Sequence, residues 1–127
     1  MRLSRVLRGA EGGVMLFFCP GCNCAHGPAV GKGEGPRWAW NGDVDRPTFT
    51  PSILVRWTLW EPAVTSDNLE QFKEAPWEQH KVHHCCHSFV TDGKIAFLGD
   101  CTHALAGQTV DLPAWDDHEN EGSTENG

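Results

Sequence analysis

Residues 85–103 read CCHSFVTDGKIAFLGDCTH, and the way this stretch turns back on itself decides the fold. Ser88 to Thr91 and Lys94 to Leu98 alternate and are rich in β-formers. Asp92-Gly93 between them is a strong two-residue hairpin signal, because a type I′ turn needs positive φ at both central positions. Closing that hairpin brings Cys86 and His87 beside Gly99, Asp100 and Cys101, with His103 just beyond. Soft ligand groups well apart in sequence then share one pocket.

A second pair waits upstream, Cys19 and Cys22 in CPGC, a tight turn whose two thiolates can chelate one ion. A structural zinc takes four nitrogen or sulfur ligands in a tetrahedron. The expected set is therefore Cys19, Cys22, Cys86 and His103 around a structural Zn2+. Along a strand Cys86 and His87 point to opposite faces. Cys86 is preferred, because Phe89 then shares the face of His87 and can pack into a core. His26, His87 and Cys101 form the second rank. Cys24 and Cys85 read better as buried apolar residues, a common role for free cysteine.

Six cysteines also admit a disulfide framework. The opening residues, MRLSRVLRGAEGG, are basic but lack the apolar run of about 7 residues that a secretory leader carries. MLFF at 15–18 is too short to span a bilayer. A reducing compartment is expected, where clustered Cys and His mean metal more often than disulfide. Of the formal charge of −7, five negative charges sit on residues 116–127, which hold no Lys or Arg, leaving −2 for the rest. That tail reads as acidic and disordered. The nearly neutral body has no basic footprint for nucleic acid.

The length of 127 residues fits one domain, with 14 Gly and 8 Pro favouring turns over long helices. Residues 1–13 read as an N-terminal arm or short strand, and 14–115 as a zinc-stabilised β domain. Val14 to Phe18 is a strand entering CPGC, and Arg37 to Trp40 is a strand running into an Asn41-Gly42 turn. In RPTFTPSILVRWTLW, Pro47 and Pro51 confine the first half to an edge or a bulge, since proline offers no ladder donor. Residues 61–84 read as a variable insertion with a short helix, capped by Asp67 and bounded by Pro76. Asp100 is expected to cap a helical turn over His103 to Ala106, ended by Gly107. Gln108 to Leu112 suits a last strand, with Trp115 as an anchor. The fold class is thus mainly β with some α: a small twisted antiparallel sheet or two-layer sandwich pinned by a Cys/His zinc site, with one or two short helices.

Other chemistries compete for the same residues. A redox Cys-x-x-Cys usually starts a helix, but NCAHGPAVGKGEG follows CPGC and is too rich in Gly and Pro for one. His80, His83, His84 and His87 would line one face of a helix, yet the adjoining strand makes an exposed loop the better reading. Trp38, Trp40, Trp57 and Trp60 suit a small core better than a stacking platform. A zinc with an open position could hydrolyse a substrate, with Asp100 or a spare histidine as general base. No H-E-x-x-H or H-x-E…C-x-x-C signature is present, however.

The combination FCPGCNCAH (18–26), WAWNG (38–42), PTFTPSI (47–53), CHSFVTDGKIAFL (86–98) and DCTHALAGQTVDLP (100–113) resembles a family of small phage and bacterial proteins whose motifs imply no particular activity. Some relatives carry the label "ammonia monooxygenase", but this chain shows neither a membrane span nor a copper-type ligand arrangement to match it. The resemblance implies Cys19, Cys22, His26, Cys86, His87, Cys101 and His103 as family positions and leaves out Cys24 and Cys85. Phage origin would place the protein in a host cytoplasm or a virion. The expected function is a non-enzymatic, zinc-stabilised accessory domain that binds another protein, with no membrane and no nucleic-acid partner. The alternative is a zinc-dependent hydrolase.

Overall fold

The computed structural model describes residues 1–115; the acidic tail lies outside the described residues. The chain forms two antiparallel sheets. The smaller holds β1 (Arg8–Gly9), β2 (Met15–Cys19) and β3 (Cys24–His26), in that order. The larger runs β4 (Ala39–Trp40), β5 (Phe49–Glu61), β6 (His80–Thr91), β7 (Lys94–Phe97) and β8 (Thr109–Asp111). One α-helix, α1 (Leu69–Glu74), joins β5 to β6, and Glu11–Gly13 makes a 3-10 turn. The mainly β expectation holds. No helix among the described residues is long and apolar enough to cross a membrane.

The hairpin that decides the fold closes as its sequence requires. Asp92 and Gly93 have φ of 52° and 77°, and Thr91 pairs with Lys94 across them. β5 and β6 form the long central ladder, from Ile53 opposite Ser88 to Glu61 opposite His80. Its strict alternation gives two faces. Ile53, Val55 and Trp57 with Ser88, Cys86 and His84 line one; Leu54, Arg56 and Thr58 with His87, Cys85 and His83 line the other. The first face meets the core, where Leu7, Phe17, Phe49, Val90 and Ile95 are fully buried. Each such side chain contributes about 1.5–3 kcal/mol by leaving water. Phe17 from the small sheet stacks on Phe49 from the large one at 6.4 Å, which ties the two sheets together.

Several local expectations are corrected. Of residues 1–13, Val6 and Leu7 lie in the core, while Met1, Arg2, Arg5 and residues 10–13 are exposed. Phe89 is 41% exposed, because the face it shares with His87 is the open one. The four histidines fall inside β6, where alternation separates His80 and His84 from His83 and His87. Asn68 precedes α1, and no side chain caps it; the Asn68 Oδ1 accepts from the Thr65 amide instead. Residues 103–106 form turns, not a helix, although Gly107 does take a positive φ of 78°. Trp38, Trp40 and Trp57 pack against the core as expected, while Trp60 is exposed.

Candidate active site and metal centre

The CPGC turn folds Cys19 and Cys22 toward one point. Asn23 takes a left-handed φ of 57° and returns its amide to the Cys19 carbonyl at 2.8 Å. The Cys22 amide donates to the Cys19 Sγ at 3.4 Å. β6 delivers Cys86 from its buried face, with its sulfur 3.8 Å from that of Cys19. With zinc–sulfur bonds of about 2.3 Å, a tetrahedron has sulfur–sulfur edges of about 3.8 Å. β3 turns His26 inward at its pairing with Phe17, and the His26 Nε2 is buried without a hydrogen-bond partner. Ligand atoms of Cys19, Cys22, His26 and Cys86 all lie within 4.8 Å of one another. This Cys/His group can hold a metal ion.

The protonation pattern fits a cation. A hydrogen bond from Cys86 holds the Cys19 thiol down to about 4, against its burial and with help from His26. Burial and the Cys19 charge push Cys22 up to about 12. The same hydrogen bond, then burial, pushes Cys86 up. Three sulfurs in contact cannot all ionise unaided; a divalent ion removes that conflict. All six cysteines are free thiols, so Cys19 and Cys22 do not form a disulfide here.

His103 stands in a neighbouring group with Cys86 and Cys101. Its Nδ1 accepts the Leu105 amide at 3.2 Å, which places the proton of a neutral ring on Nε2. That nitrogen, like the Nε2 of His26, is buried without a hydrogen-bond partner. A Cβ at Gly21 would lie 2.3–2.6 Å from the His103 ring, so the glycine of CPGC is what lets this imidazole close over the turn. Cys24 is exposed and Cys85 half-buried, so neither is the buried apolar residue expected.

The opposite face of β6 carries a different constellation. Between the pairs Phe49–Val90 and Ile53–Ser88 the ladder register shifts, so that Thr50, Pro51 and Ser52 stand opposite Phe89 alone. This bulge, at the proline, sets the Ser52 Oγ 2.9 Å from the His87 Nε2. The other ring nitrogen, Nδ1, lies 3.1 Å from the Asp100 Oδ2. Asp100 is held there by the loop after β7. The Leu98 amide donates to the His87 carbonyl, the Thr102 amide to the Cys85 carbonyl, and the Cys101 Sγ bonds both the amide and the carbonyl of His87. With Asp100 accepting from Nδ1–H, Nε2 is left as acceptor for the Ser52 hydroxyl. Ser52, His87 and Asp100 thus make a serine–imidazole–carboxylate chain, an arrangement that serves serine hydrolases as nucleophile, base and orienting acid and is recognised by geometry and not by sequence order.

His87 is therefore engaged at both nitrogens, away from the sulfur cluster. Ser52 was not among the residues singled out from the sequence. The available signal was a serine directly after Pro51, where a strand must bulge, together with a histidine and an aspartate at the two ends of one hairpin.

A family model described as "Bacterial ubiquitination-like system serine protease (BubE)" matches residues 2–98. The match contains Ser52 and His87 and stops two residues short of Asp100. No curated protein and no solved structure matches the chain. The match overturns the expected non-enzymatic accessory domain of phage origin; the hydrolase alternative fits better. The chain belongs to the BubE family of bacterial ubiquitination-like system serine proteases.

Proposed function

We propose that this protein is a serine protease whose nucleophile is Ser52, whose general base is His87 and whose orienting carboxylate is Asp100. The observation that supports it most is the unbroken chain of hydrogen bonds at 2.9 and 3.1 Å through these three side chains. His87 takes the hydroxyl proton as Ser52 Oγ attacks the scissile carbonyl, and then gives that proton to the leaving amine. Water attacks the resulting ester by the same route in reverse, freeing Ser52. Asp100 keeps the imidazole in the productive tautomer and stabilises its charged form. In keeping with the family, the substrate is a peptide or isopeptide bond made in a bacterial ubiquitination-like system. The partner protein is that conjugate or precursor.

The metal in this reading is a structural Zn2+ held by Cys19, Cys22, His26 and Cys86. Four nitrogen and sulfur donors close a tetrahedron and leave no position for substrate. The zinc therefore fixes CPGC against β6 and leaves the hydrolysis to the other face. The test is labelling by a fluorophosphonate, which reacts with an activated serine. Wild-type protein should be labelled at Ser52, and Ser52→Ala should not be labelled at all; equal labelling of the two, or none of either, would sink the assignment.

A further inference from the structure

We propose that the groove between the free edges of β3 and β5 is the substrate cleft, and that it takes an extended stretch of polypeptide by strand addition. This rests on the serine-protease reading. The groove has a volume of about 270 Å³ and is lined by Ala25 and His26 of β3, by Trp38, and by Ile53, Leu54 and Val55 of β5. Three of these residues, Ile53, Leu54 and Val55, directly follow the nucleophile in sequence. β3 is the outermost strand of its sheet, and β5 from Ile53 onward pairs only with β6. Two strand edges without a strand partner among the described residues therefore face one another beside Ser52. Such edges bind an extended chain through its main-chain groups.

The direction of the β5 edge follows from one hydrogen bond. The Trp38 Nε1–H donates to the Ser52 carbonyl at 3.3 Å, so the main chain of Ser52 faces away from β6. Alternation along the ladder turns the amide and carbonyl of Leu54 the same way. A peptide bonded to Leu54 runs along the groove and delivers its next carbonyl toward Ser52.

The experiment compares inactivation rates for two reagents. One is a bare fluorophosphonate, which needs only the activated serine. The other is acetyl-Ala-Ala-Ala diphenyl phosphonate, with and without N-methyl groups on its amides. In wild-type protein, N-methylation should slow the peptidyl reagent about tenfold, roughly the worth of one main-chain hydrogen bond. Ala25→Trp, at an exposed position, should slow the unmethylated peptidyl reagent by a similar factor and leave the fluorophosphonate rate unchanged. If fluorophosphonate labels Ser52 but neither N-methylation nor Ala25→Trp slows the peptidyl reagent, the groove is not the cleft. If fluorophosphonate labels nothing in the wild type, the protease reading itself falls and takes this inference with it.

Discussion

At the scale of single residues, Asp100 is the sharpest probe of the catalytic reading. Its side chain is half exposed and its Oδ2 lies 3.1 Å from the His87 Nδ1, so Asp100→Asn should leave thermal stability almost unchanged. The amide cannot hold His87 in the base tautomer, and kcat should fall on the order of 10⁴-fold. A steady-state assay beside a melting curve separates that outcome from simple unfolding. Gly21 tests the other face. An added Cβ meets the His103 ring, so Gly21→Ala should cost about 1–3 kcal/mol through overpacking. In Gly21→Ala/His103→Ala the clash is gone, and denaturant unfolding should show a cost well below the sum of the single changes. The convergence of Cys19, Cys22 and Cys86 was legible in the sequence, because CPGC and the hairpin base each announce themselves. Ser52 was not. Serine is common in strands, and its alliance with His87 depends on how many residues the bulge absorbs, which no local pattern records. His26 was legible only as a second-rank candidate, since its place beside the three cysteines depends on which way β3 returns.

At the scale of elements, the long β5–β6 ladder joins two different tasks. Near Ser52 and Cys86 it builds both sites. Beyond Thr58 and His83 it extends outward and ends at the connection through α1. Glu61 still pairs with His80 across it. Replacing residues 62–79 by Asn-Gly should close the arm as a two-residue hairpin without moving the triad. Fluorophosphonate labelling of Ser52 should persist at the wild-type rate in that variant; loss of labelling with an unchanged circular dichroism spectrum would show that the connection takes part in the site. The strand alternation and the Asp92-Gly93 turn were readable beforehand, because period-two patterning and positive φ are local. The extension of β6 back to His80 was not, because the clustered histidines mimic a helical face and only the partner strand decides between the two.

At the scale of the whole molecule, the Cys/His group that could hold a metal ion spans both sheets. Cys19 and His26 come from strands of the first, Cys22 from the turn between them, and Cys86 from the second. Chelation should lower the melting temperature by about 10 °C or more, given a few kcal/mol of lost binding energy. Activity should fall with it, since His87 is the next residue after Cys86. Loading the metal near neutral pH should release one proton each from Cys22 and Cys86, whose thiols are pushed up, and none from Cys19, already ionised down to about 4. Affinity must therefore rise with pH. Calorimetry in buffers of different ionisation heat measures that release directly; a third proton would show that Cys19 is not the resident thiolate. A mainly β molecule pinned by Cys and His was foreseeable from composition and spacing. Hydrolysis was foreseen only as a zinc-dependent alternative; the chain of Ser52, His87 and Asp100 on the outer face of β6 was not.

The adjacency of Cys86 and His87 has one more consequence. Neighbours on a pleated ribbon look in opposite directions, so gaining or losing a single codon between Cys86 and the Asp92-Gly93 turn would exchange their surroundings, sending imidazole inward and sulfur out. Length changes along that segment are forbidden by geometry twice over, whereas the stretch between Glu61 and His80 answers to neither constraint and is free to grow or shrink.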